Sequence, residues 1–134
     1  MSVRALRKLL GSQCAGPSVP DRPIDLVYLS RQSLGDRVLE KELLQLFDRQ
    51  AEQIIARLDS EIGAADRRWR RDLSHTLAGS AKAVGALRVA NAASAYEEAL
   101  FSSASDRELR ILLDEIATEV AAARRTIGEL LSDD

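Results

Sequence analysis

The sequence predicts an all-α protein, an antiparallel up-down four-helix bundle with a short additional N-terminal helix, and three observations carry that prediction. No proline occurs from Asp25 to the end of the 134 residues. Over the same span apolar residues return every three or four positions, in blocks separated by short Gly, Asp or Ser punctuation, which is the period of a helix with one face on a core. Aromatic residues make up only 4%, and Gly and Pro together number ten, too few for the aromatic strands and frequent turns of an all-β sandwich. A length of 134 residues with 46% apolar content suits one domain with one core.

The elements follow in order. Residues 1–24 form a flexible extension made of a short amphipathic piece, Val3 to Leu10, and a breaker-rich stretch from Gly11 to Pro23. Eight residues are too few for a stable isolated helix, so the amphipathic piece is expected to be disordered, with weak docking to a partner or membrane surface as the other reading. The bundle then occupies residues 25–134. Its first helix runs from Asp25, a plausible N-cap, to Leu34, with Gly35 past its end. The second, about Asp36 to Ile62, carries Leu39, Leu43, Leu46, Phe47, Ile54 and Leu58 and would be about 40 Å long. The third, about Asp66 to Val84, carries Trp69, Leu73, Leu77 and Val84 and stops at Gly85. The fourth, Ala86 to Phe101, follows with almost no connection and carries Val89, Ala93, Tyr96 and Leu100. The fifth opens on Ser105-Asp106-Arg107-Glu108, a capping box, and continues through Leu109, Leu113, Ile116, Val120 and Ile127. Short loops between successive long helices make neighbours antiparallel.

Charge and composition exclude several function classes. The net charge is −2, with +3 on the first 24 residues and −5 on the rest, which gives no electrostatic case for nucleic acid. The run Arg67, Arg68, Arg70 and Arg71 is bracketed by Asp66 and Asp72 and reads as a solvated helix start. One Cys and one His rule out a disulfide framework and a His/Cys zinc site within one copy, and no metal site is expected. Cys14 in the extension is read as inert. No stretch approaches the roughly 18 apolar residues of a membrane span, and the N-terminus lacks the apolar run of a secretory signal, so a cytoplasmic protein with no membrane role is expected.

One titratable residue stands out. On a wheel of 100° per residue with Trp69 at zero, Leu73, Leu77, Ser80 and Val84 fall between about 20° and 80°, whereas His75 falls at about 240°. The only histidine therefore points away from the apolar stripe and is expected to be exposed. Arg71 and Lys82 share its face, at about 200° and 220°, with Gly79 at about 280° and Arg68 continuing the row. A mid-helix glycine costs about 1 kcal/mol relative to alanine, and an outward-facing one is not explained by core packing, so something must approach there. A neutral imidazole is a good nitrogen nucleophile, and flanking cations would stabilise a phosphoryl group placed on it. Asp72, at i−3, could accept a hydrogen bond from Nδ1–H and leave Nε2 as the nucleophile; the bland alternative is a solvated acid.

His75-Thr76-Leu77-Ala78-Gly79-Ser80-Ala81-Lys82-Ala83-Val84-Gly85 resembles the signature of histidine-containing phosphotransfer (HPt) domains: His, any residue, an apolar residue, Lys or Arg, Gly, Ser or Ala, then a Gly ending the helix. The Asp-Leu start of the short first helix, the long second helix and the Tyr96-Glu97 position extend the resemblance over roughly residues 25 to 131. It implies that His75 is the phospho-acceptor, taking a phosphoryl group from the aspartate of one response-regulator receiver domain and passing it to another, with Ala78 and Gly79 where the partner approaches and Gly85 as helix terminator. It implies as partners receiver domains and a hybrid sensor kinase, with no cofactor of the chain's own and Mg²⁺ supplied by the receiver. One departure is plain: Ala78 stands where the family usually has Lys or Arg, so Lys82 or Arg71 is assigned the charge role. A sensor-kinase dimerisation domain is the nearest rival. Such kinases have an acidic residue after the histidine and a proline a few positions on, whereas Thr76-Leu77-Ala78 follows His75, and the chain leaves no room for an ATP-binding domain. A phosphocarrier without autokinase activity is therefore expected, a monomer since no coiled-coil dimer motif is present, with a non-phosphorylated adaptor binding a response regulator as the alternative.

Overall fold

A computed structural model of the chain describes residues 22–60 and 67–132, which contain five helices and no strand. They are α1 (Leu26–Gln32), α2 (Arg37–Ser60), α3 (Arg67–Ala83), α4 (Leu87–Phe101) and α5 (Asp106–Ser132). Within these residues α2 packs on α3, α3 on α4, α4 on α5 and α5 back on α2, so the four long helices close a ring around one core. The expected Val3 to Leu10 piece, Cys14, and the expected ends of helices at Ile62 and Asp66 lie outside the described residues. Ile24, assigned by its sequence to the extension, is only 1% exposed and belongs to the core.

Local sequence explains the helix ends. The Asp25 carboxylate accepts from Tyr28 N–H at 3.1 Å and caps α1, and Asp36 caps α2 by accepting from Val38 and Leu39 N–H at 3.0 and 3.2 Å. Ser105 Oγ accepts from Glu108 N–H at 3.2 Å and caps α5, which is one of the two bonds of the expected capping box. The end of α1 differs from expectation. Leu34, at φ 55°, takes the left-handed position after the helix, and Gly35 N–H closes the turn onto Ser30 O at 2.9 Å. Gly35, past the end as the sequence placed it, is left-handed as well, but the helix itself stops at Gln32, two residues before the expected Leu34.

Gly85 ends α3 as expected. With φ 77°, it lets Ala86 N–H reach Ala81 O at 2.8 Å and its own N–H reach Lys82 O at 3.3 Å, the two bonds of a Schellman cap. A side chain there would also collide with Asp25, whose carbonyl oxygen would lie 2.7 Å from the added Cβ, while Asp25 N–H donates to Gly85 O at 2.8 Å. The short α1 is thereby locked over the α3–α4 corner.

Two apolar stripes are rotated from the sequence reading. In α2 the buried positions are Leu44, Phe47, Ala51, Ile54 and Leu58, while Leu39 and Leu46 are exposed; these two lie about 100° round the helix from the stripe's centre. In α3 the buried residues are Arg70, Ser74, Leu77, Ala78 and Ala81, with Trp69, Leu73 and Ser80 only half-buried. Small and polar residues make this face because α4 lies close against it. The core centre of α3 is thus near 110° on the wheel used above, about 130° from His75.

Candidate functional site

His75 sits midway along α3 with its side chain 79% exposed. The sharp α3–α4 turn determines what faces it. Counting outwards from Gly85, antiparallel helices set residue 75 level with about residue 95, and Glu97 is there. The Glu97 carboxylate lies 3.3 Å (Oε2) and 3.4 Å (Oε1) from His75 Nδ1. A carboxylate only accepts, so in a neutral ring Nδ1 carries the hydrogen and donates, and Nε2 keeps the lone pair. Nε2 makes no hydrogen bond to the described residues. The ring is therefore oriented from one side and open on the other.

The remaining predicted site residues divide. Gly79 is exposed, its φ is not left-handed, and a Cβ built there meets no atom within 4 Å. Neither backbone nor packing calls for a glycine at this position. Lys82 is exposed in the last turn of α3, about 10 Å of helix rise beyond His75; its side chain leans back toward the N terminus of α3 and so toward the histidine. Arg71 is half-buried, its Cζ 4.1 Å from the centroid of the Phe101 ring. Two expectations are corrected. Ala78 is 5% exposed and forms part of the packed α3 face rather than the exposed row that holds Gly79. Asp72 is exposed and makes no hydrogen bond to His75; the acceptor on Nδ1 comes from the neighbouring helix, which a search along α3 alone could not find. The Tyr96-Glu97 pair and the shortness of the turn were the available signals.

The arginine run is not a basic surface. Arg67 donates to the carbonyls of Leu100, Ser102 and Ala104 at 3.3, 3.2 and 2.9 Å, closing the end of α4. Arg70 is buried and donates to Tyr96 Oη at 2.7 Å, and Ser74 Oγ donates to Arg70 O at 2.8 Å beneath the histidine turn. On the side toward α2, Ser80 Oγ donates to Gln50 Oε1 at 2.8 Å, fixing α2 beside the Gly79 turn.

The family profile described as the Hpt domain matches residues 42–126, more than half of the chain. The chain belongs to the Hpt domain family. Hpt domains act in histidine phosphotransfer within phosphorelays and are phosphocarriers rather than kinases. The matched span of this Hpt protein runs from α2 into α5 and contains the whole α3–α4 hairpin with His75, Gly79, Gly85 and Glu97. No curated protein matches the chain. No helix among the described residues is long and apolar enough to cross a membrane.

Proposed function

We propose that this Hpt protein carries a phosphoryl group on His75 Nε2 between the aspartates of receiver domains, one of them on a hybrid sensor kinase. The observation that carries the reading is the half-open imidazole: Nδ1 held by Glu97, the side chain 79% exposed, and bare glycine one turn further on. In the transfer the Nε2 lone pair attacks phosphorus in line. The P–N bond forms as the P–O bond to the receiver aspartate breaks, and that carboxylate leaves with the electron pair. Nε2 has no proton to lose. The ring becomes a cation that keeps its hydrogen on Nδ1, where the Glu97 carboxylate stabilises it. The reverse sequence hands the group to the next receiver.

Rigid presentation of the ring supplies the positioning on which phosphoryl transfer chiefly depends. Gly79 is the close-approach position, and α2 and α3 supply the surface around it. Positive charge for the phosphoryl oxygens comes from Lys82 and Arg71, since Ala78 supplies none. Mg²⁺ belongs to the receiver, and the chain acts as a monomeric, cytoplasmic carrier without autokinase activity.

Incubation with a phosphorylated receiver and Mg²⁺ should place acid-labile, alkali-stable phosphate on the protein, and His75→Gln should abolish it with the helical circular dichroism signal intact. Undiminished labelling of that variant would remove His75 from the role. A receiver that binds without ever transferring phosphate would favour the adaptor reading.

A further inference from the structure

We propose that Phe101 is a positioning residue for phosphoryl transfer, holding the Arg71 guanidinium beside His75 with its N–H donors available to the phosphoryl oxygens. The inference rests on His75 as phospho-acceptor and adds to that reading a residue that nothing in the sequence pattern marked. Two cross-helix contacts lie one turn apart on the same side of the α3–α4 hairpin. His75 meets Glu97 at 3.3 Å, and Arg71 meets Phe101 at 4.1 Å. Arg71 is four residues before His75, and Phe101 four after Glu97, so the four side chains form a square.

The tilt of helical side chains makes the ring necessary. Every Cα–Cβ bond tilts toward its own helix N terminus, so Arg71 by itself leans away from His75. Phe101 is on the antiparallel helix and leans the opposite way, toward the level of the histidine. A guanidinium stacked on that ring is drawn to the same level. Stacking uses the faces of both groups and leaves the five in-plane N–H bonds of arginine directed outward.

The surroundings fit an anion site. Arg71 makes no ion pair or hydrogen bond among the described residues, whereas Arg67 is bonded to carbonyls and Arg88, Arg110 and Arg124 to carboxylates. Phe101 is 67% exposed, so its ring adds little to the core, and its substitution should leave the fold intact. Glu97 is the acceptor that a released guanidinium would find first, being one turn away from Phe101. Losing the ring therefore also puts the Nδ1 contact of His75 at risk.

Potassium phosphoramidate tests the inference without any receiver. Its P–N bond breaks with loss of ammonia as the bond to Nε2 forms, so receiver docking cannot contribute. The initial rate of phosphohistidine formation on the full chain, followed by ³¹P NMR, should fall about two- to fivefold in Phe101→Leu, the factor that corresponds to an exposed cation–π contact. It should be retained in Phe101→Tyr, which keeps the stack. In an Arg71→Ala background Phe101→Leu should have no further effect, because the ring acts through the guanidinium. Equal slowing by Phe101→Leu with and without Arg71 would overturn the proposal, as would unchanged rates in both single variants. If phosphoramidate labels His75 normally but no phosphorylated receiver transfers to it, the carrier reading fails while this test still gives its answer.

Discussion

Replacing Gly79 with glutamine should make the protein more stable and less active at once. The added Cβ meets no atom within 4 Å, and the backbone at 79 is not left-handed, so the folded state incurs no strain. Glycine is about 0.8–1 kcal/mol worse than alanine in a helix interior, and glutamine is nearly as good a helix former as alanine. The expected gain is about 0.5–1 kcal/mol, or about 2–5 °C in Tm for a domain of this size. Gly85 provides the opposite case in the same hairpin. Gly85→Ala requires φ 77° of a residue with a Cβ and brings that atom to 2.7 Å from Asp25 O, so a loss of about 2 kcal/mol or more is expected. The activity effect follows from direction. A side chain at 79 tilts toward the N terminus of α3 and covers the turn that bears His75. A receiver that must bring its aspartyl phosphate to Nε2 then meets the glutamine first, and transfer should slow by about a hundredfold or more, since small misplacements of reacting groups cost that much. Thermal melts by circular dichroism and initial rates of transfer from a phosphorylated receiver measure the two effects on one preparation. A Gly79→Gln protein that melts lower than wild type would show that packing requires the glycine. One that transfers at the wild-type rate would show that nothing closes over this turn.

Two further predictions concern the electrostatics of the ring. Glu97→Ala removes the acceptor on Nδ1; the contact is long and partly exposed, worth about 1 kcal/mol, so transfer should slow about fivefold, and ¹⁵N NMR of the imidazole should report loss of the Nδ1–H preference. Unchanged transfer together with an unchanged tautomer would take Glu97 out of the site. Lys82→Ala should slow transfer by up to about tenfold, the upper range for a charge-assisted contact to an anion near the surface. Moving the cation to the family position with Ala78→Lys should not restore the rate cleanly, because residue 78 is 5% exposed on the α3–α4 contact face and a lysine there must emerge between the helices; full rescue without loss of Tm would refute that account.

Much of the fold was legible because helical period, caps and breakers are local properties. Asp25, Asp36, Ser105 and Gly85 mark helix ends, and all four act at those ends. The rotated stripes have one physical source. A helix that packs closely on its neighbour uses small residues at the contact, and Ala51, Ser74, Ala78 and Ala81 carry too little apolar weight to draw the eye from Leu39, Leu46 or Trp69. Arg70 is buried and reverses the usual reading of a charged residue altogether, because its burial depends on Tyr96, 26 residues away.

The site shows the same division more sharply. The exposure of His75 and the bareness of Gly79 are properties of one helix and follow from its wheel. The partners of the imidazole are properties of a pair of helices, and their register is set by where the chain turns. The left-handed Gly85, tied to Asp25, ends α3 so abruptly that α4 starts two residues later. That turn brings Glu97 rather than Asp72 to Nδ1, and Phe101 rather than an acid to Arg71. A one-residue insertion at the turn would rotate α4 by about 100° relative to α3, taking both Glu97 and Phe101 off the histidine face while leaving every residue of the His75 to Gly79 motif in place. The motif thus specifies an exposed histidine, and the turn specifies which side chains of α4 face it.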